Sequence, residues 1–184
     1  VIGLDINKEV IKYCKKQYKE EENIQFFKSN LFEVFEDNFF FYDLIDNKIE
    51  VYLKHDVDDR KKRKLLVDKQ IKFDLIIFNP PYLPQSEKKR DLISEGGKKG
   101  YEVLEKFFDK APIYLKKEGK LLIVFSSLTN KKKVNDIIAK KGMVFEELGT
   151  QSLFFEELYV YLIEKWFSHS PHKPLLKIQA FKNS

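Results

Sequence analysis

Four consecutive residues, Asn79, Pro80, Pro81 and Tyr82, combine side-chain and backbone groups that could hold a planar nitrogen. The two prolines restrict φ and keep the residue before them extended, so the turn is stiff. The Asn79 side-chain oxygen and the Pro80 carbonyl could then accept both hydrogens of an NH₂ group. Such a grip would aim the nitrogen lone pair at an electrophilic methyl group without a strong base. Tyr82 supplies an aromatic face for a planar amide or base.

The elements before this turn place it at a site typical of ligand binding. An apolar strand from Phe73 ends at Phe78, and ligands of open parallel sheets lie outside the carboxyl ends of the strands. Asp5 ends an earlier strand and could accept hydrogen bonds from ribose hydroxyls, because Asn7 is the better-placed helix cap. Asn30 follows a third strand; a contact to an adenine edge and a plain turn role are both open.

The order of elements predicts an α/β fold with a mostly parallel sheet and an antiparallel C-terminal edge. Glu118-Gly119 is predicted to end a helix that Pro112 kinks or splits, and Gly96, Gly97 and Gly100 to form a flexible loop. The predicted strands are 1–5, 24–27, 73–78, 120–125, 144–148 and 158–164, and the predicted helices begin near Asn7, at 100–117 and at 131–141.

Composition predicts a globular domain over residues 1–166, with a charged insertion over about 36–72 and a loosely ordered tail over 167–184. The 184 residues are 43% hydrophobic and 15% aromatic. The insertion is expected to contain a hairpin or short helix, since residues 49–53 partly alternate as a strand would. No apolar run is long enough to cross a bilayer and no signal-peptide pattern opens the chain, so a cytoplasmic location is expected.

The net charge of +5 includes basic runs at residues 60–64 and 131–133. They could attract nucleic-acid phosphate, but acidic residues are interspersed throughout, which favours an ordinary solvated surface. No metal site is predicted, because Cys14 is the only cysteine and the three histidines, His55, His169 and His172, are widely separated or lie in the tail.

The segment from Phe73 through the Asn-Pro-Pro-Tyr turn resembles the HemK/PrmC class of release-factor glutamine methyltransferases, and Gly96-Gly97-Lys98-Lys99-Gly100 resembles the Gly-Gly-x-x-Gly segment of that class. The resemblance implies a class I, Rossmann-like S-adenosylmethionine methyltransferase. It is greater for the archaeal and eukaryotic branch, which implies a class I release factor as substrate and a small zinc-binding activator subunit as partner.

The same resemblance implies roles for individual residues. The cofactor-binding set is Asp5, Ile6, Asn30, Leu31 and Asn79, and the amide-binding set is Asn79, Pro80, Pro81 and Tyr82. Asn30 stands where the family usually has aspartate. The family's first strand and glycine-rich loop should precede Val1, so the chain is expected to be a fragment of a longer protein, to lack the first strand of the fold and to fold poorly by itself.

Two other functions compete with glutamine methylation. A nucleic-acid methyltransferase acting on the exocyclic amine of adenine or guanine would use the same two-acceptor turn, although it must also extrude its base from a duplex. An inactive methyltransferase-like binding subunit would explain a missing glycine-rich loop.

Overall fold

The computed structural model describes residues 1–37, 41–45, 48–52, 72–85 and 94–166. The chain divides into two compact units, Val1–Ile71 and Lys72–Ser184. The second half of the predicted insertion, the basic run at 60–64, all three histidines and the predicted tail lie outside the described residues. No described helix is long and apolar enough to cross a membrane.

The first unit contains a parallel strand pair with a helical crossover and a separate hairpin. Its elements are β1 (Ile2–Asp5), α1 (Lys8–Gln17), β2 (Gln25–Lys28), α2 (Glu33–Asp37), β3 (Phe41–Ile45) and β4 (Lys48–Tyr52). β1 and β2 pair in parallel, and β3 and β4 pair antiparallel. The crossover and the hairpin in the insertion are both confirmed.

Helix α1 begins where the local chemistry predicts. The Asn7 side chain accepts a hydrogen bond from the Glu9 backbone N–H at 2.9 Å, which satisfies one of the free donors of the first turn. Ile11 is buried, and Gly3 lets β1 approach the ring of Phe26, which a Cβ at position 3 would meet at 2.5 Å. The predicted Asn7 cap is thus confirmed.

The described part of the second unit is a four-stranded sheet with two α-helices. Its elements are β5 (Phe73–Phe78), α3 (Glu102–Tyr114), β6 (Leu115–Ser126), a 3₁₀ turn (Ser127–Thr129), α4 (Lys131–Lys140), β7 (Met143–Ser152) and β8 (Glu157–Lys165). The strand order is β5-β6-β8-β7, with β5 and β6 parallel and the other two pairs antiparallel. The predicted antiparallel C-terminal edge is confirmed.

The core of this unit forms between its two helices and the inner strands. Alternate residues of β6 and β8 are buried, as expected for strands with one core-facing side. The fully buried large side chains are Leu104, Phe107, Phe108, Leu115, Leu121, Ile123, Phe125, Val134, Ile138, Tyr161 and Ile163. Burial of these side chains stabilises the fold by roughly 1.5–3 kcal/mol each.

The predicted boundary between α3 and β6 is wrong. The helix ends at Tyr114 and passes without interruption through Pro112, while Glu118 and Gly119 lie inside the 12-residue strand β6. Pairing with β5 already starts at Leu115 and is irregular up to Lys120. Gly119 is buried, and a Cβ at this position would stand 2.7 Å from the Phe73 carbonyl oxygen. The missing side chain therefore lets β5 and β6 approach each other closely.

Candidate functional site

The Asn-Pro-Pro-Tyr turn (Asn79–Tyr82) directly follows β5, as predicted. The end of β5 is anchored by Phe78, whose ring stacks on Phe107 of α3 with centroids 4.3 Å apart. Asn79 is exposed and Pro80 is buried. Among the described residues, none hydrogen-bonds the Asn79 side chain, so its oxygen is available to a ligand.

The glycine loop (Gly96–Gly100) packs against this turn. Gly96 donates a backbone hydrogen bond to the Leu83 carbonyl at 2.9 Å, and Leu83 donates one to Ser94 at 2.9 Å. A Cβ on Gly96 would meet the Pro81 carbonyl oxygen at 2.5 Å, and one on Gly100 would meet that of Tyr82 at 2.6 Å. Gly96 and Gly100 thus form a close-packed support behind the turn, and the flexibility expected for this loop stays a prediction.

Thr129 is a second support, and the sequence analysis missed it. This residue is fully buried in the 3₁₀ turn after β6, and its Oγ1 donates to the Tyr82 carbonyl at 2.9 Å. It belongs to no motif and lies 47 positions away in the chain, so no sequence signal could have found it. The carbonyl oxygen that follows the prolines is thereby held in one direction.

Tyr82 is partly buried beside the acidic end of the last hairpin. Burial raises the pKa of the Tyr82 phenol, and the negative charge of Glu156 raises it further. The phenol of Tyr82 therefore keeps its proton, and its ability to donate a hydrogen bond, to a higher pH than an exposed tyrosine does.

The other predicted site residues lie together in the first unit, at the carboxyl ends of β1 and β2. Asp5 pairs in register with Lys28, two positions before Asn30. The Asp5 Oδ1 accepts from the Asn7 backbone N–H at 2.7 Å, and among the described residues no donor reaches its Oδ2. Ile6 is 48% exposed. A free carboxylate oxygen beside an exposed aliphatic face fits a ribose with its attached base.

Ser29 shapes the turn that carries Asn30 and Leu31, and it too was missed. Its buried hydroxyl donates to the Leu31 carbonyl at 2.8 Å and accepts from the Val34 N–H at 3.0 Å. Leu31 adopts φ 53°, a left-handed conformation that a leucine takes only when its surroundings impose it. The hydroxyl at Ser29 supplies that constraint.

The orientation of Asn30 bears on its departure from the family pattern. The Asn30 Nδ2 donates to Glu33 Oε1 at 2.7 Å. The Asn30 Oδ1 therefore points away from Glu33 and can accept a hydrogen bond. An acceptor is what the exocyclic amine of adenine requires, so asparagine can serve here in place of aspartate. Asp5, Ile6, Asn30 and Leu31 thus lie at the carboxyl ends of neighbouring strands, where the sequence analysis placed them.

The basic run at 131–133 opens α4, and two of its lysines are bound within the protein. Lys131 pairs with Glu147 at 2.7 Å and lies 3.8 Å from the ring centre of Tyr159. Lys133 pairs with Glu105 at 3.0 Å. These contacts favour the predicted ordinary surface over a phosphate-binding one. No group of three or more potential metal ligands occurs within the described residues.

Comparison with solved structures defines the class of protein. The chain is similar to a precorrin-6y C5,15-methyltransferase from Geobacter metallireducens, with a TM-score of 0.51, 13% identity, 90% of this chain covered and 66% of that one. It also matches the Mtq2–Trm112 complex of E. cuniculi, which methylates the eRF1 translation termination factor, with a TM-score of 0.48, 17% identity, and 90% and 85% coverage. The shared fold is that of a class I methyltransferase.

Sequence comparison then defines the family. The family described as "BMT5-like: rRNA (uridine-N3-)-methyltransferase BTM5-like" matches residues 8–157. A relative from Methanocaldococcus jannaschii, "Putative protein N5-glutamine methyltransferase MJ0928", is 33% identical over 172 residues, 90% of this chain and 69% of the relative. The chain belongs to the BMT5-like methyltransferase family and is homologous to the M. jannaschii protein.

Proposed function

We propose that the protein transfers the methyl group of S-adenosylmethionine to the side-chain amide nitrogen of a protein glutamine. The observation that carries this proposal is the exposed Asn79, which has no hydrogen-bond partner among the described residues and stands on a turn supported from two sides. The name of the M. jannaschii relative supports the same substrate.

The geometry of the turn explains how an amide nitrogen could react. The Asn79 Oδ1 and the Pro80 carbonyl would each accept one N–H of the glutamine NH₂, so the nitrogen lone pair turns out of conjugation with the carbonyl. Tyr82 would lie along the planar amide. Because the glycine loop and Thr129 already hold the turn, the acceptors need no rearrangement when the methyl group is transferred.

The first unit would hold the cofactor. We assign the ribose hydroxyls to Asp5, the adenine amine to Asn30, and apolar contacts with the base to Ile6 and Leu31. S-adenosylmethionine supplies an electrophilic methyl group when it is bound.

The protein substrate and partner follow from the resemblance to HemK/PrmC enzymes of the archaeal and eukaryotic branch. That resemblance assigns a class I translation release factor as the substrate and a small zinc-binding activator subunit as the partner.

The test is a methyl-transfer assay with the purified protein. Wild type should label an intact release factor and not its Gln-substituted form. Asn79→Ala should lower kcat by about 100-fold or more, the size of effect seen when one preorganised hydrogen-bond partner is removed from a transition state. Cofactor affinity, measured by calorimetry, should fall far less than kcat, because Asn79 is one of five residues assigned to the cofactor and the four with adenosine contacts are unchanged. Equal loss of both would make Asn79 a structural residue.

RNA methylation is the second candidate, and the family description favours it by naming uridine N3 in rRNA. The turn argues against uridine, because N3 carries a single hydrogen between two carbonyl oxygens, and two acceptors would meet one donor and repulsion from those oxygens. An adenine or guanine amine fits the turn better. The same assay with RNA separates these substrates, since label on RNA alone overturns the glutamine proposal. If the protein is an inactive binding subunit, it should bind the cofactor and label neither the release factor nor RNA.

A further inference from the structure

The turn between β7 and β8 exposes two large aromatic side chains that the fold does not use. Phe154 is 91% and Phe155 is 85% exposed at this hairpin tip (Leu153–Glu156), and Leu153 is 48% exposed. The two rings touch edge to face with centroids 4.5 Å apart. Such a contiguous apolar projection gains almost nothing from burial within the chain and is typical of an interaction site.

The hairpin tip is held in a defined position. Leu153 donates a backbone hydrogen bond to Glu156 at 2.8 Å, which closes the turn. The Glu157 N–H donates to Ser127 Oγ at 3.1 Å, in the 3₁₀ turn that also contains Thr129. Thr129 in turn binds the Tyr82 carbonyl, so one short segment ties both the hairpin tip and the Asn-Pro-Pro-Tyr turn.

Glu156 lies between the hairpin tip and the Asn-Pro-Pro-Tyr turn. Its Oε2 is buried, and no described residue donates a hydrogen bond to it. The Glu156 charge acts on the Tyr82 phenol, so the carboxylate lies near the aromatic side of the Asn-Pro-Pro-Tyr turn. A buried carboxylate oxygen without a donor is costly, and a ligand that brings an N–H would satisfy it.

We propose that the hairpin tip binds the polypeptide segment that flanks the target glutamine, with Phe154 and Phe155 against its apolar side and Glu156 Oε2 accepting one of its N–H groups. This inference rests on the proposed function, because it names how the same site selects a protein substrate. The 3₁₀ turn hydrogen-bonds both the Tyr82 carbonyl and the Glu157 N–H next to the tip, so the tip lies beside the turn that would hold the glutamine.

Charge favours a polypeptide over RNA as the occupant. The residues from Met143 to Glu164 contain no lysine or arginine. Their five glutamates are Glu146, Glu147, Glu156, Glu157 and Glu164, of which Glu147 is paired with Lys131 of α4. Exposed phenylalanines could stack on unpaired bases, yet a hairpin of this charge would repel the phosphates that supply most nucleic-acid affinity.

The experiment compares the double variant Phe154→Ala/Phe155→Ala with wild type in methyl transfer to an intact release factor. The KM for the release factor should rise about 10- to 30-fold, typical of losing central aromatic contacts, with kcat within about twofold. Glu156→Gln, which keeps the shape, should also raise KM. The control Tyr13→Ala removes a 66% exposed aromatic side chain from α1 and should leave KM unchanged. Thermal midpoints of all four proteins should agree.

The outcomes separate the two proposals. If wild type methylates glutamine and the double variant has an unchanged KM or a lowered thermal midpoint, the hairpin tip is not a docking surface and the inference is wrong. If wild type labels no glutamine, the proposed function fails first, whatever the variants do. Label on RNA with a raised KM for RNA in the double variant would replace the polypeptide occupant by a nucleic acid.

Discussion

Thr129 shows how one buried hydroxyl can determine the direction of a carbonyl in the Asn-Pro-Pro-Tyr turn. The Tyr82 carbonyl would otherwise be free to reorient, and a hydrogen bond from a fully buried donor removes that freedom. Ser29 acts similarly in the first unit, where its hydroxyl bridges Leu31 and Val34. Both residues would act through neighbours rather than touch a reacting atom, so they are positioning residues.

Thr129→Val should reduce kcat while leaving cofactor affinity unchanged. The substitution removes the donor and leaves the Tyr82 carbonyl unsatisfied, which costs about 1–3 kcal/mol of folding free energy. Thr129→Ser keeps the hydroxyl and should restore most of the activity. Steady-state kinetics and urea unfolding measure the two effects. A valine variant with the kcat of wild type would show that the hydrogen bond does not position the turn.

At the scale of elements, the glycine loop and the end of β5 form one packed unit. Gly96 lies between two backbone carbonyls, those of Pro81 and Gly100, and its own N–H binds Leu83. Backbone atoms cannot move aside as a flexible side chain can. Close backbone approach to the turn therefore requires glycine at positions 96 and 100, whereas Gly97 has a φ of 116° that favours glycine.

Gly96→Ala tests this packing against a matched glycine. A Cβ at position 96 would stand 2.3 Å from the Gly100 carbonyl oxygen, whereas one on Gly149 in β7 meets nothing within 4 Å. We expect Gly96→Ala to lose about 1–3 kcal/mol of unfolding free energy, together with most activity. Gly149→Ala should remain within about 0.5 kcal/mol of wild type. Denaturant unfolding measures the unfolding free energy of both variants, and the methyl-transfer assay measures their activity. Equal behaviour of the two variants would contradict the packing argument.

At the scale of the whole molecule, two buried tyrosines make the unfolding free energy depend on pH in the alkaline range. Tyr159 donates to Glu157 at 2.6 Å, and this bond, with burial, raises the pKa of Tyr159 to about 12. Burial raises the pKa of Tyr161 as well, helped by the charge of Glu147. In both cases the folded state favours the neutral phenol.

The unfolding free energy should therefore fall as pH rises above about 10. Unfolded tyrosines lose their protons near pH 10, before the folded ones do, so the unfolded state gains stability in that range. Tyr159→Phe should flatten the slope. Urea unfolding between about pH 9 and pH 11, with absorbance at the phenolate band, gives the measurement. A slope of wild-type steepness in Tyr159→Phe would assign the effect to other groups.

Local chemistry made several features predictable from sequence alone. The Asn7 cap, the stop of α4 at Gly142 and the Asn-Pro-Pro-Tyr turn after β5 all depend on neighbouring residues: a side-chain acceptor, a glycine at φ 63°, and prolines that restrict their own backbone. The strand and helix order was also readable, because hydrophobic periodicity is a local signal.

Only the tertiary structure decided which distant segments support the site. Gly119 looked like a helix end because glycine commonly ends helices, but strand pairing placed it inside β6. The glycine loop behind the turn, the hydroxyl of Thr129 and the exposed hairpin tip depend on which backbones approach each other across tens of residues. That approach is set by sheet register and core packing, which no short stretch of sequence encodes. The sequence by itself determined the Asn-Pro-Pro-Tyr turn after β5, and the fold determined what holds that turn in place.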